Sequence, residues 1–203
     1  MTDTDGTLLA SHTPGTGGSY AVYPGYTSLG TIRSNRVCND GSNSFAVYTN
    51  TASLPTPNYE VSADIVILTV AGEDNIGLAG RADHTVSVGN DTYYYVAYDN
   101  GNGNWVLAKG VAGVFTTIGT YSQALSLSTT YNASLVMRGT SIKTLIDGAE
   151  RISVTDSSIT SAFRAGLYTH DSGAGTGYHI DNYLAQSDAS LPPALRRNVT
   201  LRM

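Results

Sequence analysis

Apolar positions in this chain recur mostly at every second residue, in short runs broken by Gly, Asn, Asp and Ser. The stretch from Tyr59 to Leu68 puts Tyr59, Val61, Ala63, Ile65 and Ile67 on one face, and Glu60, Ser62 and Asp64 on the other. Successive side chains of a pleated strand point to opposite faces, so the pattern predicts a half-buried strand. Thr92 to Tyr98 and Asn104 to Lys109 flank the turn-rich DNGNG. Asn-Gly steps favour positive φ, so the pair reads as a hairpin. Val114 to Gly119 follows another Gly-containing turn. Tyr131 to Arg138 places Tyr131, Ala133, Leu135 and Met137 inward, and the Gly139 turn leads into Ser141 to Ile146. Asp147-Gly148 is the next tight turn, before Glu150 to Thr155; Arg164 to Thr169 and Tyr178 to Gln186 complete the series. No segment sustains a 3.6-residue period for more than about one turn. The expected class is all-β, a sandwich or a barrel.

Both ends depart from this rhythm. In the first 58 residues, Pro14, Gly15, Gly17, Gly18, Pro24, Pro55 and Pro57 break the pattern, which predicts an edge strand and long loops over the sandwich. The body is read as residues 1–186. Residues 187–203 are read as an extended basic tail outside the core: Pro192-Pro193 cannot continue a ladder, and no acid follows Asp188. Within it Val199 and Leu201 alternate with Thr200 and Arg202, a pattern suited to adding a strand to a partner's sheet edge. Arg196, Arg197 and Arg202 suit an acidic docking surface.

Composition narrows the function classes. Charged residues are 13% of the 203 and hydrophobic ones 41%, which argues for a packed core and against disorder. A net charge of −5 with eleven Lys and Arg is a poor match to a phosphate backbone, so nucleic acid is excluded as a general partner. No window reaches the roughly 18 apolar residues of a membrane span, so no membrane insertion is expected. The first thirty residues show neither a basic start nor an apolar run, so no secretory signal is read there. The single cysteine, Cys38, excludes an internal disulfide and a multi-cysteine metal site.

Over roughly residues 3 to 186 the order of segments resembles the concanavalin A-like (laminin-G-like) jelly-roll domain. The opening DTDGTLLASHTPGTGGSY is similar to the family's entry segment, with Tyr20 where related chains often carry Trp. YEVSADI resembles its first long core strand, IGLAGRAD the next, and YYYVAY with NWVLAK its central hairpin; TLIDGAERISVTD, RAGLY and YHIDNYLA follow in order. The resemblance implies a single antiparallel jelly-roll β-sandwich with a C-terminal extension. One fold hosts many functions, but this variant is similar to stand-alone versions among tailed-phage structural proteins. That likeness implies a non-enzymatic virion accessory protein, a capsid decoration or tail-associated component on the virion surface, assembled in the host cytoplasm. Its partners would be capsid or tail proteins, host-surface carbohydrate and further copies of itself. The alternative is a carbohydrate-binding module for attachment, with a glycoside hydrolase third.

Hydrolases of the resembled fold carry alternate carboxylates on one strand, as E-x-D-x-E. Glu60, Ser62 and Asp64 share a face here, but the middle carboxylate is missing, so no catalytic residue is assigned. His170-Asp171 and His179 with Asp181 lack a G-x-S-x-G elbow. Four scattered His give no zinc spacing. Calcium is the one cofactor the residues allow, at Asp3, Asp5 and Asp99 with Asn100 and Asn102, since it takes carboxylate and carbonyl oxygens in loops. The GAGTG run, Gly173 to Gly177, lies between strands rather than before a helix, so it reads as a loop and not a phosphate cradle. Fourteen Tyr and one Trp remain as a signal, for stacking sugars or for a protein interface, with simple sheet packing as the alternative. Alternation sends Tyr93 and Tyr95 to one face and Tyr94 to the other, with Trp105 across the hairpin; Tyr93, Tyr95 and Trp105 are the candidate glycan-binding residues.

Overall fold

The computed structural model describes residues 3–12, 18–26, 30–39, 44–54, 56–69, 75–161, 164–171, 177–187 and 201–202. Among them there is no α-helix, only a 3-10 turn at Leu9–Ser11. Fifteen strands follow one another: β1 Tyr20–Val22, β2 Gly30–Arg33, β3 Arg36–Asn39, β4 Ser44–Asn50, β5 Tyr59–Ile67, β6 Asn75–Ala82, β7 Tyr93–Asp99 and β8 Asn104–Val111. The remainder are β9 Val114–Ser122, β10 Thr129–Arg138, β11 Ser141–Ile146, β12 Ala149–Thr155, β13 Arg164–Asp171, β14 Tyr178–Ser187 and β15 Leu201–Arg202. They form two antiparallel sheets. One has seven strands in the order β1-β4-β13-β6-β7-β8-β9; the other has eight, β12-β11-β10-β5-β14-β3-β2 with β15 on β14.

The alternation read in the sequence is the alternation of the core. Tyr59, Val61, Ala63, Ile65 and Ile67 of β5 are fully buried between the sheets, against Ala133, Leu135 and Met137 of the neighbouring β10. Tyr94, Val96 and Tyr98 of β7 and Leu107 of β8 close the same core from the seven-stranded sheet. Burial of such side chains contributes roughly 1.5–3 kcal/mol each, and it is this term that orders both sheets. Asp147 (φ 51) and Gly148 (φ 75) make the two-residue turn from β11 to β12, since only a left-handed pair matches the twist of the strands.

The N-terminal stretch corrects the expectation of one edge strand and loops. It supplies four strands, β1 and β4 to the seven-stranded sheet and β2 and β3 to the other. β1, β2 and β3 have only three or four residues, too few alternations to register as a period. The β2–β3 turn is also built from Ser34 (φ 51) and Asn35 (φ 60), with no glycine to mark it. At the other end, Leu201 and Arg202 pair with Ala185 and Leu184 of the same chain. This corrects the reading of their backbone as free to join a partner's sheet. Arg196, Arg197 and Val199 lie outside the described residues.

One buried cation ties the connections together. Arg81 sits at a bulge of β6 with φ 48 and is buried, donating from Nε to Pro57 O at 3.0 Å, from Nη1 to Ile159 O at 2.7 Å and from Nη2 to Gly139 O at 2.8 Å. Its guanidinium lies 5.9 Å from the centre of the Tyr94 ring. Three connections from both sheets thereby converge on one side chain.

Candidate functional site

The outer face of the seven-stranded sheet carries a second apolar cluster: Tyr23, Val47, Ala79, Ala82 and Tyr93 are buried there, with Tyr26, Val86, Tyr95 and Tyr168 packed against them. An outer face is ordinarily polar, so an aromatic cluster packed in this position sets the region apart from the rest of the surface. Strand register explains how it is built. Across the sheet, Tyr168 of β13 faces Gly77 of β6, which faces Ala97 of β7, which faces Val106 of β8. In the next row Gly166, Ala79, Tyr95 and Ala108 follow one another. The small residues form a floor. A Cβ on Gly77 would meet Val96 O at 1.9 Å, so the backbone there excludes a side chain.

Over that floor Tyr95 and Tyr168 stack, with ring centroids 4.6 Å apart and planes 8° from parallel. Tyr95 also leans on Tyr93 (6.0 Å, tilted) and Phe115 (6.4 Å, edge-on). Both hydroxyls of the stacked pair are pushed above the ordinary phenol value, by burial first and then by Asp99 for Tyr95 and by Tyr95 and Asp99 for Tyr168, so they stay protonated and can donate. The pair forms one wall of a groove of about 210 Å³, lined also by Asn75, Ala97, Asp99, Val106 and Thr117. Asn75 Nδ2 lies 3.3 Å from His170 Nδ1, which places an amide at the groove's end. The combination of ring faces, amide, carboxylate and hydroxyl matches what a polyhydroxylated ring presents: apolar C–H faces and a rim of donors and acceptors.

Farther along the face, the connection between β6 and β7 folds over Tyr93. Tyr23 donates from its hydroxyl to Asp83 O at 2.6 Å, and Tyr26 donates to Asp91 Oδ1 at 2.7 Å. Tyr23 packs edge-on against Tyr93 at 5.6 Å.

The three aromatic candidates therefore separate. Tyr95 is half-buried in the groove. Tyr93 shares its face but is fully buried beneath the β6–β7 connection. Trp105 is a correction: it faces Tyr98 in the register, points into the core and is fully buried, with Nε1 donating to Gln123 Oε1 at 2.8 Å. Direct register across the hairpin, rather than proximity in sequence, decides which face it joins. Of the residues the sequence reading missed, Asn75 comes from β6, across the connection that precedes β7, and Tyr168 from β13, with five strands between it and β7 in the chain.

The carboxylate candidates are dispersed as well. Asp64 lies on the outer face of the other sheet, where Asn132 Nδ2 (2.9 Å) and Asn182 Nδ2 (2.8 Å) donate to it, so it is a polar ladder member. Asp181 faces Arg36 at 3.7 Å. Asp3 meets His12, Asp5 accepts from Ser34 N–H at 2.7 Å, and Asp99 accepts from Asn102 N–H (3.2 Å) and Nδ2 (2.8 Å). These residues do not fit a shared calcium: Asp3 is engaged by His12, Asp5 by the β2–β3 turn and Asp99 by its own turn, and no three His, Cys, Asp or Glu converge among the described residues. Of the Gly173–Gly177 run only Gly177 is among the described residues. Among those residues no helix is long and apolar enough to cross a membrane.

No family model and no curated protein matches the sequence. The fold is similar to solved lectin-like structures. The carbohydrate binding module CBM66 from Bacillus subtilis aligns with TM-score 0.67 at 18% identity, over 86% of this chain and 99% of that one. The VIP36 exoplasmic/lumenal domain in its Ca²⁺/Man-bound form aligns with TM-score 0.64 at 9% identity, over 91% and 89%. A Bacillus subtilis protein with a galectin-like fold aligns with TM-score 0.61 at 11% identity, over 91% and 90%. These likenesses define the architecture as a lectin-like β-sandwich.

Proposed function

We propose that the chain is a non-catalytic carbohydrate-binding protein that receives a sugar in the groove beside Tyr95 and Tyr168. The observation that carries this reading is the stacked pair itself: two partly buried tyrosines held over a floor of Gly77, Ala79 and Ala97, with Asn75 and Asp99 at the rim. A sandwich has no structural need for such a pair on the face away from its core. The solved structures similar to this fold include a carbohydrate binding module and a mannose-bound domain, which supports the same class of ligand. Among the described residues no carboxylate pair of the hydrolytic pattern faces the groove; of their carboxylates Asp99 lines it, and Asn102 holds it in the turn. Binding to an array of neutral oligosaccharides that is lost in Tyr168→Ala supports the reading. An array without a single binder contradicts it.

Placement on a phage particle, as a capsid decoration or tail-associated component, is the finer part of the proposal. It is supported by the similarity of the DTDGTLLASHTP opening to stand-alone phage structural domains. A lectin-like body on a virion surface would serve attachment to host glycans. Co-sedimentation with purified virions tests it, and a protein found only in the unassembled fraction argues for a free binding module.

A further inference from the structure

At the far end of the same outer face lies a second pocket, of about 310 Å³, lined by Ser53, Ala82, Asp83, His84, Thr85, Ser161 and Arg164. Its volume falls at the lower end of small-ligand sites, room for one sugar-sized unit. Its chemistry differs from that of the tyrosine groove. Arg164 begins β13, and its carbonyl accepts from the Tyr59 hydroxyl at 3.0 Å, which anchors the backbone that carries the guanidinium. Among the described residues no carboxylate pairs with that guanidinium. The acid in the pocket, Asp83, is already committed: its Oδ1 accepts from Thr85 N–H at 3.0 Å and from Thr85 Oγ1 at 2.6 Å.

His84 stands beside Arg164 with a fixed ring. Thr49 Oγ1 lies 2.8 Å from its Nδ1, and Tyr23 packs edge-on at 5.8 Å. Thr49 engages Nδ1, and the tautomer that carries its proton on Nε2 is the one that makes the ring a donor to a ligand in the pocket. Ser53, Thr85 and Ser161 add hydroxyls around the rim. A guanidinium with no carboxylate partner among the described residues, an imidazole and the hydroxyls of Ser53 and Ser161 on one small cavity form a donor set, while the Thr85 hydroxyl, whose proton goes to Asp83, is left to accept; donor sets of this kind recognise oxyanions.

We infer that this pocket binds an acidic sugar unit, with the oxyanion (carboxylate or sulfate) held by Arg164 and His84 and the ring hydroxyls met by Ser53, Thr85 and Ser161. The sugar part of this assignment rests on the reading of the outer face as a carbohydrate surface; the oxyanion part stands on the pocket's own residues. Burial, followed by the charge of Arg164, holds His84 below its ordinary value, and Asp83 opposes that shift. The other titratable group against the ring is Tyr23, whose hydroxyl is pushed up to about 12 and stays neutral. His84 is therefore uncharged at neutral pH. It gains its proton as pH falls, which adds a second positive charge to the pocket and strengthens oxyanion binding.

The test titrates the intact chain with sodium glucuronate, glucose 6-sulfate and glucose at pH 7.5 and pH 5.0. Both acidic probes should bind more tightly than glucose, and more tightly at the lower pH. Arg164→Gln should weaken them roughly tenfold or more without changing glucose binding. His84→Gln should remove the pH dependence while thermal unfolding shows the fold intact. Preference for one acidic probe tells carboxylate from sulfate. Acidic probes no tighter than glucose, or unaffected by Arg164→Gln, overturn the assignment while leaving the tyrosine groove in place. Acidic probes bound through Arg164 with no neutral sugar bound anywhere uphold the pocket and overturn the groove. No binding by any probe overturns both.

Discussion

Tyr95 and Tyr168 stack 8° from parallel at 4.6 Å although β6 runs between their strands, because Gly77 and Ala79 leave the space above β6 open. Each ring is thus held on one side by its partner, and both residues line the groove. Tyr168→Ala should weaken neutral glycan binding by about 1–2 kcal/mol, a factor of roughly 5 to 30, and Tyr168→Phe by less. Isothermal titration of both variants measures it. Equal loss in both would place the energy in the hydroxyl rather than the ring face.

Trp105 serves the core. Trp105→Ala should cost about 3–5 kcal/mol of stability, the ordinary range for removing a fully buried Trp, and Trp105→Phe should retain glycan binding with a smaller loss. Denaturant unfolding combined with a binding titration separates these effects. Affinity that collapses in Trp105→Phe while stability holds would put the indole in the site.

Arg81 should be irreplaceable by size or charge alone. Arg81→Met leaves the carbonyls of Pro57, Gly139 and Ile159 without their donor, and Arg81→Lys offers a single ammonium where a planar fork spans three acceptors. Both should lose about 3 kcal/mol or more. A loss under about 1 kcal/mol in chemical denaturation contradicts the role given to it.

How much of this could be read in the chain depends on the range of each interaction. The β5, β7–β8 and β10–β12 strands were legible because each carries several alternations and ends at an Asn-Gly, Asp-Gly or other Gly turn. The β1–β4 strands were not, and their positions depend on the pairing of β4 with β13 and of β3 with β14, partners far along the chain. The site followed the same rule. Tyr95 was marked by alternation, but its partner Tyr168, the amide of Asn75 and the His84–Arg164 pair meet only through cross-strand register. Trp105 was assigned to the wrong face because hairpin neighbours in direct register share a face with Tyr98, not with Tyr95.

Acid should weaken the fold through Asp156. Burial raises its carboxyl, but hydrogen bonds from Lys109 Nζ, from the Tyr94 hydroxyl (2.5 Å) and from Ser158 N–H (2.9 Å) outweigh it and hold the group well below the usual carboxylate range. A depressed carboxyl stabilises above its unfolded value, near 4, and that stability is lost as pH falls toward the folded value. Asp156→Asn should therefore cost about 1–3 kcal/mol at pH 7. The gap from the wild type should narrow by pH 3, read from denaturation midpoints at both pH values. A gap that widens in acid reverses the sign and refutes the assignment.

The most direct test of the central claim is amide chemical-shift mapping during titration with a bound neutral oligosaccharide. Perturbations should cluster at Asn75, Tyr95, Ala97, Val106, Thr117 and Tyr168, the residues that line the groove together with Asp99. Perturbations centred instead on Asp64, Asn132 and Asn182, on the outer face of the other sheet, would contradict the placement of the sugar site.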